Sequence, residues 1–167
     1  SESTSVNTAP KKRYALVIGI DGLRPDALTA AETPALDRLI ASGVSTMDAT
    51  TQLSAATSSG PGWMSILTGV EPTKHGVYNN GAYENRNSAH KTFLWHGTHD
   101  YELETVVTVT WPELVLEIIE DNASDFLRIQ IEEESTLFLE AELAQYDYEM
   151  TFLHLDTVDH AGHDTGF

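Results

Sequence analysis

The sequence predicts an α/β domain: a mainly parallel sheet flanked by helices. Three observations carry that expectation. Apolar, β-branched runs at Tyr14–Ile20 (YALVIGI), Thr105–Thr110 (TVVTVT) and Met150–Leu155 (MTFLHL) read as strands. Segments with helical spacing separate them, which is the alternation a parallel sheet requires. Two of the runs also pass directly into polar, metal-capable residues, at Asp21 and at Asp156–His163. In such sheets chemistry collects at the carboxyl ends of strands.

The elements follow in order. Residues 1–13 (SESTSVNTAPKKR) are polar and end in a basic run, so they are expected to form a disordered leader, with the domain occupying 14–167. Tyr14–Ile20 reads as a strand buried on both faces, stopped by Asp21-Gly22. Thr33 and Pro34 open a helix with Leu36, Leu39 and Ile40 on its apolar face, ended by Gly43. Residues 50–60, rich in Ser, Thr and Ala, suggest a loop. A short helix runs from Pro61 through Leu67, closed by Gly69. Residues 71–90 read as loop with few core candidates, and 82–104 carry no readable signature. After the second strand, Pro112 opens a helix with Leu114, Val115, Ile118 and Ile119 inward. Another helix is expected around Ser135–Tyr146, with Leu137, Phe138, Ala141 and Ala144 as its stripe. The third strand leads into a His/Asp-rich loop.

Composition excludes several classes. The 167 residues carry 9 basic and 26 acidic side chains, a formal charge of −17. Residues 1–91 balance eight against eight, while 92–167 hold Arg128 and 18 acids. That field repels phosphate backbones, so a nucleic-acid duplex is not the expected partner. The surplus reads as a solvated acidic surface, or in part as ligands for a bound cation. Cysteine is absent, which removes disulfides, cysteine zinc sites and thiol catalysis. No run approaches the ~18–20 apolar residues of a membrane-spanning helix.

Four places can carry chemistry. Asp21 ends a buried strand, where a carboxylate is a metal ligand or simply a turn-forming Asp-Gly. Ser59 precedes Gly60-Pro61-Gly62 and suits a helix N-cap. The free N–H groups and helix dipole gathered there also welcome an anion, and a hydroxyl beside a bound phosphoryl group becomes a nucleophile if a metal stabilises its alkoxide. Asp159-His160-Ala161-Gly162-His163 is the most metal-like run. Asp159 and His163 can turn onto one ion of the zinc type, with Asp156 and His160 supporting them. His75-Gly76 and Asn80 are structural loop residues when taken alone, and His90, His96 and His99 are too irregular in spacing to be ligands.

Together these segments resemble the alkaline phosphatase superfamily, in its type I phosphodiesterase/nucleotide pyrophosphatase branch. The matching pieces are ALVIGIDGLRPDAL at 15–28, TPALDRLIASG at 33–43, SGPGWMSILTGVEPTKHGVYNN at 59–80 and FLHLDTVDHAGHDTGF at 152–167. The resemblance implies an alkaline phosphatase-like fold and a metal-dependent phosphoric ester hydrolase using two zinc ions on a small phosphate-ester substrate. It implies Asp21 as a ligand of one zinc and Ser59 as the nucleophile on that zinc, where many members have Thr. Asn80 would bind a phosphoryl oxygen, and Asp159 and His163 would be ligands of the other zinc. Relatives are often exported, which favours an extracytoplasmic location.

Two departures matter. Ser59-Gly60-Pro61-Gly62-Trp63 resembles the sulfatase signature, but Trp63 replaces its Arg and no Cys is present, so formylglycine chemistry is not expected. The family's remaining ligands, an Asp-His pair and a further His, lie downstream of the Asp-x-x-Gly-His segment, whereas this sequence ends at Phe167. The expectation is therefore an N-terminal portion of the catalytic domain, with an incomplete sheet and little activity by itself. The competing expectations are a phosphonate hydrolase or phosphomutase of the same superfamily, and a non-catalytic acidic binding domain.

Overall fold

The structure, a computed structural model, describes residues 12–50, 57–124, 126–129 and 132–166. Four parallel strands form one sheet: β1 (Ala15–Ile20), β2 (Thr105–Val109), β3 (Phe126–Ile129) and β4 (Met150–Leu155), in the order β1-β4-β2-β3. Among the described residues seven α-helices accompany them: α1 (Pro25–Ala30), α2 (Pro34–Ser42), α3 (Ser59–Thr68), α4 (Pro72–His75), α5 (Phe93–Asp100), α6 (Glu132–Gln145) and α7 (Thr157–Thr165). None of the helices among the described residues is long and apolar enough to cross a membrane.

Register explains how the two faces are covered. Val17, Phe152 and Val107 align across β1, β4 and β2. All three belong to the larger core, where α3, α5 and the 114–118 turn supply Trp63, Met64, Leu67, Leu94, Leu114 and Ile118. On the opposite face Val106 and Leu153 pack with Leu139 of α6. β2 is buried at every residue. β1 is not, which corrects the expectation of a strand covered on both faces. Among the described residues it pairs with β4 alone, and Leu16 and Ile18, on the face that α6 covers at β2 and β4, stay 55% and 48% exposed. Helices α1 and α2 bury no residue fully either: on the apolar face expected in α2, Leu36 and Ile40 are half-buried and Leu39 is exposed.

Other expectations shift for local reasons. β3 was not anticipated, although the sequence around it alternates with period two, as strands do. After Pro112 the chain makes a π turn over Leu114–Ile118 rather than an α-helix, and Ile119 donates its N–H to Leu114 O at 2.7 Å. Leu114, Ile118 and Ile119 are buried as expected, and the wider turn sends Leu116 outward. In α6 the buried stripe is Ser135 and Leu139, leaving Leu137, Ala141 and Ala144 exposed. The 71–90 region contributes more core than expected: His75, Val77 and Tyr83 are buried. Residues 51–56 of the Ser/Thr-rich segment and 1–11 of the expected leader lie outside the described residues. Lys12 is paired with Asp147 at 2.7 Å.

Candidate active site

The carboxyl ends of β1 and β4 build the site. Their parallel register sets Ile20 beside Leu155, and the Asp21 N–H donates to Leu155 O at 2.9 Å. Asp21 and Asp156 therefore leave the sheet side by side. Helix α7 starts at once from β4, so Asp156–His163 is helical rather than the flexible loop expected. Helical spacing then forms two acid–imidazole pairs: Asp156 with His160 at 3.1 Å and Asp159 with His163 at 3.3 Å. The turn after β1 packs on this helix. Gly22 has φ +70°, and a Cβ there would lie 2.6 Å from the Asp159 Cα.

Helix α3 closes the site from the other side. Its first residue is Ser59, and Ser58 rather than Ser59 takes the N-cap position. Ser59 and Trp63 stand one turn apart, so both point the same way. Trp63 Nε1 donates to Asp21 Oδ2 at 2.9 Å, and the Ser59 hydroxyl also acts on that carboxylate. The Trp63 ring lies against Gly19, so a side chain at Gly19 would clash with it. Asn80 is brought in by the turn ending at Gly81 (φ +80°). Its Oδ1 accepts from Gly60 N–H at 2.6 Å, which fixes the amide orientation and leaves Nδ2 as the outward donor. Because Gly60 N–H is used in this way and Pro61 has none, the helix start offers fewer free amides than the sequence suggested.

His154 is the residue that sequence reasoning left inside a strand. It is fully buried, and its ring edge meets Trp63 at 4.6 Å between centroids. Its Nδ1 faces Thr110 Oγ1 at 3.4 Å, while Nε2 is buried with no hydrogen-bond partner and lies 3.9 Å from Asp21 Oδ2. One ligand atom each from Asp21, His154 and Asp156 falls within 4.8 Å of the others. The available signal was positional: His154 is the last side chain but one in β4, next to the strand that ends in Asp21.

His75, by contrast, is structural. Its Nδ1 accepts from Val77 N–H at 3.1 Å, so the proton sits on Nε2 and faces Ser65 Oγ at 2.9 Å, which in turn donates to Pro61 O. The pair is a strut between α3 and α4, not a serine–base dyad. His96 and His99 serve α5, the first on Asp100 at 2.6 Å and the second stacked on Trp95.

The electrostatics are specific. Burial by itself raises the Asp21 carboxyl, but the nearby His154 imidazole, the Trp63 N–H and the Ser59 hydroxyl outweigh it and hold the group at about 2 rather than 3.8. Burial pushes the neighbouring Asp156 carboxyl up. For Asp21 the sign is that of a depressed acid. In the metal-free chain its contribution is fully present above about pH 4 and is lost as pH falls through about 2. An Asp21→Asn variant is expected to lose roughly 2 kcal/mol of pH-dependent stability across that window. Urea titrations at stepped pH after chelation check this; parallel curves for the two proteins would contradict it.

The sequence profile of the family described as type I phosphodiesterase / nucleotide pyrophosphatase matches residues 15–167. Murine ectonucleotide pyrophosphatase / phosphodiesterase 5 shares the fold with a TM-score of 0.69 at 20% identity, over 92% of this chain and 46% of that one. An inactive variant of the same murine protein in complex with AMP superposes with a TM-score of 0.60 at 19% identity, over the same shares, 92% and 46%. The chain thus spans about half the length of these relatives. Among curated protein sequences none matches it.

Proposed function

The chain belongs to the type I phosphodiesterase / nucleotide pyrophosphatase family, and from that premise we propose that it carries the nucleophile half of a phosphoric ester hydrolase acting on small phosphate esters outside the cytoplasm. One observation carries the reading: Trp63 of α3 donates to the carboxylate that ends β1, which sets Ser59, one turn earlier on the same helix, beside an acid whose ionisation it favours. An alcohol, an acid and an amide donor, Asn80, then share one rim of the sheet.

The donor set fits a metal. A buried, unpartnered imidazole nitrogen among carboxylates is a cation site in its chemistry. By the family resemblance Asp21 and Ser59 would hold one zinc and Asp159 with His163 the other. Bound there, such ions would supply charge neutralisation and a lowered hydroxyl pKa at Ser59.

The chain's own residues do the rest. Ser59 Oγ forms a bond to phosphorus as the bond to the leaving alcohol breaks. The serine gives up its proton, the alcohol departs carrying one, and water later restores the free hydroxyl from the phosphoseryl intermediate. Asn80 Nδ2 donates to a phosphoryl oxygen, its direction set by the Gly60 N–H on Oδ1. Trp63 keeps Asp21 ionised and aimed. Three of the family's ligand positions, the Asp-His pair and the further His, have no counterpart in these residues, and the chain covers 46% of its murine relative, so the reaction is proposed for the longer domain. The test is to assay that domain with a phosphodiester, a phosphomonoester and a phosphonate, then quench in acid and map the phosphate. Label on Ser59 with ester turnover is expected. Turnover of the phosphonate alone favours the phosphonate hydrolase, and absence of label with every substrate overturns the reading.

A further inference from the structure

We propose that His154 and Asp156, together with Asp21, hold a divalent cation of the zinc type, so that the 167-residue chain binds an ion by itself. The inference rests on the assignment of Asp21 as a metal ligand and adds two groups that the family resemblance does not include. Four observations point to it. His154 is completely buried, yet its Nε2 has no hydrogen-bond partner. A buried donor or acceptor left alone costs about 1–3 kcal/mol, so a fold that keeps one there needs a reason. That nitrogen is aimed at Asp21, 3.9 Å from Oδ2, too far for a hydrogen bond and suited to a shared ion. The ligand atoms of Asp21, His154 and Asp156 all lie within 4.8 Å of one another, a span that one ion can bridge. Lastly, Thr110 faces Nδ1 at 3.4 Å, which turns Nε2 toward the site in the way that metal-bound imidazoles are oriented.

The charge arithmetic supports the same assignment. Asp21 and Asp156 are two carboxylates at adjacent strand ends, and the buried His154 imidazole stands within ligand distance of both. An imidazole nitrogen with two carboxylate oxygens is a donor set for zinc rather than for calcium or magnesium, which take oxygen ligands. Asp156 is buried and also faces the exposed His160 at 3.1 Å, while Asp159 with His163 form a separate pair, so His160→Gln tests whether the ion needs the rim imidazole as well as the triad.

Zinc titration of the intact 167-residue chain tests this, with long-range proton–nitrogen NMR of the histidine rings and calorimetry. At one equivalent of zinc the His154 Nε2 resonance is expected to move. Asp156→Asn and His154→Gln are each expected to weaken zinc by at least about 10-fold, whereas His160→Gln changes it by less than about 3-fold. The ring spectra of the unmodified chain keep the question open to refutation if His154→Gln fails to fold. Zinc that binds while His154 is unmoved, or a chain that binds no zinc, overturns the proposal. The two readings separate cleanly. A moved His154 in a domain that never hydrolyses esters keeps the ion site and removes the reaction, and ester turnover with His154 unmoved does the reverse.

Discussion

A Ser59→Ala variant of the completed domain is expected to lose phosphoester turnover by roughly 10⁴-fold or more, the scale seen when a catalytic nucleophile is removed. Its stability is expected to change by no more than about 0.5 kcal/mol. The two expectations come from one structural fact. Ser58, not Ser59, stands at the N-cap, and Ser59 is the first residue inside α3. Alanine is well tolerated at that position, and the helix keeps its first hydrogen bond, Gly62 N–H to Ser58 O at 3.1 Å. What the variant removes is the hydroxyl beside Asp21. Trp63 continues to donate to that carboxylate, so the acid stays in place. Ser59→Thr keeps a hydroxyl on the same backbone and is expected to recover a large share of the rate. Steady-state assays with urea titration of both variants check the pair. Full activity in Ser59→Ala would remove the nucleophile from its role, and loss of folding would move Ser59 to a structural one.

Much of this arrangement was legible in the sequence, for identifiable reasons. Strands β1, β2 and β4 are continuous apolar runs, and continuous runs are what parallel strands require. The α3 helix announced itself at both ends, with Ser and Pro at its start and Gly69, φ +69°, at its close. Asp21 and Ser59 stood out because each sits at a junction between elements, Asp159 because of the His/Asp-rich run around it, and Asn80 through the family resemblance alone. What escaped was set by packing. Leu16 and Ile18 are as apolar as Val17, and nothing in the run says that α6 covers one face of the sheet only as far as β4. The stripe of α6 rotated from Leu137 to Leu139 because the sheet selects the face. His154 looked like one more strand residue. Its importance appears only when β1 is placed beside β4, a pairing between segments more than a hundred residues apart.

The same pairing explains how a chain of charge −17 can be read as an enzyme for phosphate esters. The rim itself carries Asp21, Asp156 and Asp159, which repel a phosphoryl group as surely as the acidic surface does. Donors alone do not reverse that: the Trp63 N–H is spent on Asp21, and Gly60 N–H is spent on Asn80. Under the proposed reading, cations held by these carboxylates and imidazoles would be a condition for substrate binding as well as for chemistry, and removing them with a chelator is expected to abolish both.

Gly22→Ala is expected to destabilise the chain by about 2–5 kcal/mol and to pull the two halves of the site apart. Two costs add at this position. The backbone has φ +70°, where a side chain costs roughly 1–2 kcal/mol. The new methyl group would also stand 2.6 Å from the Asp159 Cα and 2.9 Å from its N and Cβ, and those atoms belong to the body of α7, not to a side-chain tip that can swing away. Relief therefore requires α7 to retreat from the end of β1, carrying Asp159 and His163 away from Asp21. Gly81 supplies the control. It has φ +80° and no atom within 4 Å of a Cβ, so Gly81→Ala is expected to lose only the conformational share, about 1 kcal/mol. The difference between the two variants in urea unfolding isolates the contact with Asp159. Equal losses would mean that the turn after β1 does not press on α7 in solution, and Asp21 would then have to meet Asp159 by some other route.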